Sequence, residues 1–96
     1  MMNNKKKIDI FISYSSGDSQ IAHRLYEDLL KRGAKPYLYE KQRNFVEFME
    51  EISDIIKQVK SFCLLDSPQA RDSSYVKTEC ELALKSSNIK NDFFLF

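Results

Sequence analysis

KSFCLLD, residues 60–66, is short, closes on an acidic residue, and holds an unbroken apolar centre in Phe62, Cys63, Leu64 and Leu65. A strand wetted on one face alternates apolar with polar residues; one covered on both faces does not. The stretch therefore reads as a buried strand of a parallel sheet. Before it, Phe45, Phe48 or Met49, Ile52, Ile55 or Ile56, and Val59 recur at helical spacing. After it, residues 67–73 contain Pro68 and read as a loop. Residues 74–86 then read as a helix with Val76, Cys80, Ala83 and Leu84 on its inner face.

Further out the pattern repeats. Residues 8–13 (IDIFIS) are β-branched and bounded by turn residues, which predicts a strand. Residues 14–19 (YSSGDS) form a loop, with Asp18 or Ser19 as the N-cap of the next helix. That helix carries the rows Ile21, Leu25, Leu29 and Ala22, Tyr26, Leu30, and Gly33 stands where a left-handed C-terminal residue is wanted. Residues 35–39 (KPYLY) predict a second strand; Pro36 cannot donate to a ladder, which places it at a sheet edge. Residues 40–44 are a charged loop and 87–91 a polar turn. Residues 92–96 (DFFLF) begin a fourth strand.

Strand centres thus recur roughly every 26–30 residues, the length of a βαβ unit. The expected fold is α/β: a flavodoxin-like parallel sheet of order 2-1-3-4, extendable by a fifth strand, with helices on both faces. Residues 1–7 (MMNNKKK) are expected to be a flexible leader, and residues 8–96 one domain. A last strand of FFLF would be a sticky edge, so the C-terminal part of the domain is expected to lie beyond residue 96.

Composition narrows the function. Fifteen Lys and Arg against fourteen Asp and Glu leave a net charge of +1, which predicts no nucleic-acid or acidic-membrane partner. The only two glycines, Gly17 and Gly33, cannot supply a Walker loop or a dinucleotide fingerprint. One histidine, His23, argues against a His-rich metal site, and no metal is expected. Cys63 and Cys80 have no C-x-x-C spacing and read as reduced, buried thiols of a cytoplasmic protein. No apolar run is long enough to span a membrane.

In a sheet of this kind ligands sit beyond the carboxyl ends of the strands. Segments 14–18, 40–44 and 66–72 meet there, with the start of the helix that carries Glu79. On a helical wheel Glu79 falls about 80° from the centre of the apolar arc, a boundary position, with Tyr75 one turn before it. A boundary carboxylate beside an aromatic ring suits an active-site acid; a solvated surface glutamate is the alternative. Asp66, at the end of the third strand, stands where a response-regulator receiver carries its phosphoacceptor. The loop after the first strand lacks the acidic pair that Mg²⁺ would need, which disfavours that reading.

FISYSSGDS after the first strand, FMEEISDIIKQVKSFCLLDSP in the middle and SSYVKTECELAL on the third helix together resemble a TIR (Toll/interleukin receptor) domain, closest to the bacterial branch. The resemblance covers nearly the whole of residues 8–96. It implies NAD⁺ cleavage at the nicotinamide–ribose bond by an NAD⁺ glycohydrolase, with NAD⁺ as substrate and no separate cofactor. The family's catalytic glutamate, four residues after an aromatic that is usually Trp, matches Glu79 after Tyr75. Tyr14, Ser15 and Ser16 match the loop that lines the nucleotide site, and Phe48 an aromatic near the substrate. Animal members often carry basic residues where Ser15 and Ser16 stand. Residues 40–44 match the BB loop, which gates the site and joins neighbouring subunits, but without its usual Gly or Pro.

The implied chemistry suits these residues. Nicotinamide leaves NAD⁺ as a neutral molecule from a cationic ring, so no general acid is needed. One carboxylate can orient the ribose and oppose or attack an oxocarbenium-like centre. The resemblance also implies self-association through TIR–TIR contacts and an effector role in bacterial antiphage defence or signalling, with a sensor domain after residue 96. A non-catalytic TIR scaffold is the alternative function.

Overall fold

The computed structural model describes residues 8–38, 45–86, 89 and 93–95, with backbone alone for 45–48, 93 and 94. The expected leader (1–7), the charged loop (40–44) and most of the polar turn (87–91) lie outside the described residues, as does the Phe48 side chain.

Four strands form one parallel sheet: β1 (Ile10–Ser13), β2 (Pro36–Leu38), β3 (Ser61–Leu64) and β4 (Phe93–Leu95). Their spatial order is β2-β1-β3-β4, as the sequence predicts. Pro36 does lie on an edge strand, paired with Ile10. The side-chain period of two sends Phe11 and Phe62 to one face and Ile12 and Cys63 to the other. Each set heads its own core. Phe11 and Phe62, register partners, stack with ring centroids 5.4 Å apart and pack with Ile52, Ile56 and Ala83. Ile12 and Cys63 pack with Tyr14, Ala22 and Leu65.

The helices follow from this division. α1 (Ser19–Lys31) covers the Ile12 face, through Ala22, Leu25, Tyr26 and Leu29. Ile21 and Leu30 of the predicted rows lie at the margins and are exposed. The helix ends in a Schellman arrangement: Ala34 N–H donates to Leu29 O and Gly33 N–H to Leu30 O, both at 3.0 Å. Gly33 takes φ +91°, open to glycine without strain. α2 (Phe45–Gln58) and a helix at Ser74–Lys85 cover the Phe11 face. Right-handed crossovers require this, because the chain moves one way from β1 to β2 and the other way from β2 to β3 to β4. The Tyr37 hydroxyl on β2 donates to the Glu51 carboxylate on α2 and ties the edge strand to that layer.

Two expectations are corrected. Residues 67–73 are not a simple loop: Pro68–Asp72 is a short helix, α3, which makes Ser74–Lys85 the fourth helix, α4. Pro68 suggests a break, but at the first helical position its missing N–H costs nothing. Ser67 caps it, its Oγ accepting from Ala70 N–H at 3.0 Å. Ser73 then caps α4, accepting from Val76 N–H at 3.2 Å. The second correction is the rotation of α4. Leu84, expected inside, is 72% exposed, and Glu79, expected at the boundary, is fully buried with Val76 and Ala83. The buried arc is turned by roughly 50° from the arc that hydrophobicity alone predicts.

Candidate active site

Glu79 turns inward because it has a partner there. Ser13, the last residue of β1, shares the face of Phe11 two residues before it. Its Oγ donates to Glu79 Oε1 at 2.6 Å. Both side chains are 0% exposed. A hydroxyl or carboxylate buried without a partner costs several kcal/mol, and the bond between them offsets this. Ser13 is the functional candidate that sequence reasoning missed. The signal was present: a polar residue in register with Phe11 on a buried strand face demands a partner.

The position of this pair is set by topology. β1 and β3 are adjacent, and the crossovers that leave them run over opposite faces of the sheet. This is the switch point at whose carboxyl end doubly wound sheets bind ligands. Ser13 sits at that end, opposite Leu64.

The other predicted residues divide around it. Tyr75, one turn before Glu79, is half-buried against the same core. Tyr14 alternates to the opposite face and is buried against α1-side residues. Ser15 is buried and donates to Asp18 Oδ2 at 3.1 Å. The same oxygen accepts from Ser67 Oγ at 2.5 Å. Asp18 does stand at the N-cap of α1, but its carboxylate makes no cap bond there and instead pins the first loop to α3. Ser16 opens a 3-10 turn (Ser16–Asp18) and is exposed. Glu79, Ser13 and Tyr75 therefore share one face, while Ser15 and Ser16 lie in the loop beyond it and Tyr14 lies behind the sheet.

Among the described residues, open grooves flank this end. One, of about 260 Å³, is lined by Leu64, Asp66, Val76, Lys77, Cys80 and Glu81, among others, on the side of α4 away from Tyr75. Another, of about 250 Å³, lies between Asp18, Ile21, Leu65, Asp66 and Ser67. Glu79 lines neither. Asp66 is held by Arg71 through two bonds of 3.0 and 3.1 Å, and these keep its carboxyl below the usual aspartate range. Burial, with the charges of Glu79, Asp66 and Glu81, pushes the Cys80 thiol up to about 11. Burial also raises Cys63. His23 is exposed, its Nδ1 2.8 Å from Ser19 O. Among the described residues no group of His, Cys, Asp and Glu is placed to hold a metal ion, and no helix is long and apolar enough to cross a membrane.

A doubly wound parallel sheet with a buried carboxylate at its switch point defines the class. Within that class the family is specific: residues 10–95 match the model of the TIR domain, and the chain belongs to that family. Its fold is similar to the crystal structure of the TIR domain of the Toll-related receptor TRR-2 from Hydra magnipapillata. The TM-score is 0.74 at 20% identity, over 92% of this chain and 68% of that one. At this identity the likeness carries the fold alone. No curated protein matches the chain.

Proposed function

We propose that this TIR domain cleaves NAD⁺ at the nicotinamide–ribose bond, with Glu79 as the catalytic residue. The observation that carries the proposal is the placement of Glu79: a carboxylate at the carboxyl end of the switch-point strand, one turn after Tyr75, in a TIR fold. As the C1′–N1 bond breaks, its electron pair leaves with nicotinamide, which departs neutral. The ribose is left as an oxocarbenium-like cation. Glu79 opposes that charge, and water adds at C1′ and loses a proton to give ADP-ribose. Preorganised electrostatic stabilisation of this kind is worth roughly 3–4 kcal/mol.

The buried state of Glu79 sets a condition on turnover. A carboxylate with no exposed surface must be uncovered before it meets a ribose. The reading therefore includes activation by self-association through TIR–TIR contacts, and a cellular role as a defence or signalling effector that is quiet until clustered. The burial also supports a second reading, a non-catalytic TIR scaffold in which Glu79 only ties α4 to β1. The experiment that separates them is nicotinamide release from NAD⁺ by clustered protein. Release that depends on Glu79 sustains the enzyme, and its absence in the wild type sustains the scaffold.

A further inference from the structure

We infer that Ser13 is a positioning residue for Glu79: its hydroxyl anchors one carboxylate oxygen to β1, and this anchor is kept when the carboxylate is uncovered for the proposed cleavage. The inference rests on the reading of Glu79 as catalytic and adds a residue to it.

The backbone of Ser13 is held by β3. It is the last ladder position of β1, in register with Leu64, and its carbonyl accepts from Leu65 N–H at 2.9 Å. The side chain has a single carbon and one torsion before its oxygen, so a fixed backbone fixes the hydroxyl. Glu79 is the opposite case: three torsions separate its carboxylate from a helix backbone. The 2.6 Å contact therefore transmits the rigidity of the sheet to the end of a flexible side chain. Its length is that of a hydroxyl–carboxylate bond, among the stronger hydrogen bonds in proteins. In the covered state, burial of both partners excludes competing water. The face is otherwise built of Phe11, Phe62, Ile52 and Ile56, where alanine would pack as readily as serine. The hydroxyl at this position is accounted for by Glu79.

The residue acts through Glu79 and makes no contact of its own with the reacting atoms, so its loss should appear in kcat. The test is nicotinamide release by the clustered full chain carrying Ser13→Ala, Ser13→Cys or Ser13→Thr, with melting temperature measured alongside. Ser13→Ala is expected to lower kcat by about tenfold to hundredfold, the range of a lost bond to a charged group, with KM within about threefold. Ser13→Cys leaves no cavity, its thiol being slightly larger than the hydroxyl, but offers only a weak donor, and is expected to behave like Ser13→Ala; it carries the test if the alanine variant does not fold. Ser13→Thr restores the hydroxyl and is expected to restore most of kcat. Wild-type kcat in Ser13→Ala or Ser13→Cys would overturn the inference and leave Glu79 catalysis standing. A joint loss of kcat, KM and melting temperature that threonine does not repair would overturn it as well, by marking a structural role. No release by the wild type would instead overturn the reading of Glu79 and remove the inference with it.

Discussion

One lysine placed at two positions of α4 tests the geometry of the site before any substrate is added. At residue 84 the structure predicts tolerance. Leu84 is 72% exposed, so little more than a quarter of its side chain is out of water. Full burial of a leucine is worth about 1.5–3 kcal/mol, so Leu84→Lys should cost about 0.4–0.8 kcal/mol. The aliphatic stem of lysine recovers part of that. At residue 79 the same lysine should be severe. Glu79→Lys removes the acceptor of the Ser13 hydroxyl and puts an ammonium where no surface is exposed. An uncompensated buried charge costs about 3–5 kcal/mol. For a domain of this size each kcal/mol lowers the melting temperature by about 4–8 °C. The expectation is a fall of about 2–6 °C for Leu84→Lys and at least about 12 °C, or no folded protein, for Glu79→Lys. Far-UV circular dichroism during heating and urea titration measures both. A helix oriented by hydrophobicity alone predicts the reverse ranking. A loss above about 2 kcal/mol for Leu84→Lys beside one below about 0.5 kcal/mol for Glu79→Lys would refute the Ser13–Glu79 contact.

Two further expectations follow from the groups around the grooves. Asp66 should titrate below the usual aspartate range because Arg71 bonds its charged form, and Arg71→Gln should return it upward. The pair's contribution to stability is then present above the unfolded aspartate pKa and is lost as pH falls through the depressed value. Carboxyl carbon NMR against pH checks this, and an ordinary Asp66 titration in the wild type would show the pair unformed. Cys80, pushed up to about 11, should react slowly with iodoacetamide at pH 8. Thiolate is scarcer by about a hundredfold than at an ordinary cysteine, offset by its greater nucleophilicity, for a net slowing of about tenfold. A rate equal to that of free cysteine would contradict the environment assigned to it.

The fold was largely legible because its signals are local. The unbroken apolar centre of residues 62–65, Pro36 at an edge and Gly33 after a helix each act through their own backbone or immediate neighbours. What the sequence hid depends on partners far along the chain. Ser13 and Glu79 are 66 residues apart, so a helical wheel ranks Glu79 by its polarity and cannot see the hydroxyl that permits its burial. The carboxylate of Asp18 looks like a local cap but serves Ser67, 49 residues on. Pro68 was misleading for a different reason: the same ring that breaks a helix interior is favoured at its first position. The motif around Glu79 singles it out as a candidate, but its depth in the fold is not legible there.

The most direct test of catalysis is nicotinamide release from NAD⁺ by the full protein under enforced clustering, for the wild type, Glu79→Gln and Glu81→Gln. Glutamine keeps the shape of Glu79 and an oxygen for Ser13 while removing the charge, so the fold should persist. Turnover should fall by roughly 10²–10³ in Glu79→Gln, the range of one lost electrostatic contact. Exposed Glu81 serves as the control, with a change of less than about threefold expected. Near-wild-type release by Glu79→Gln would contradict the assigned chemistry, and no release by the clustered wild type would make the domain a scaffold.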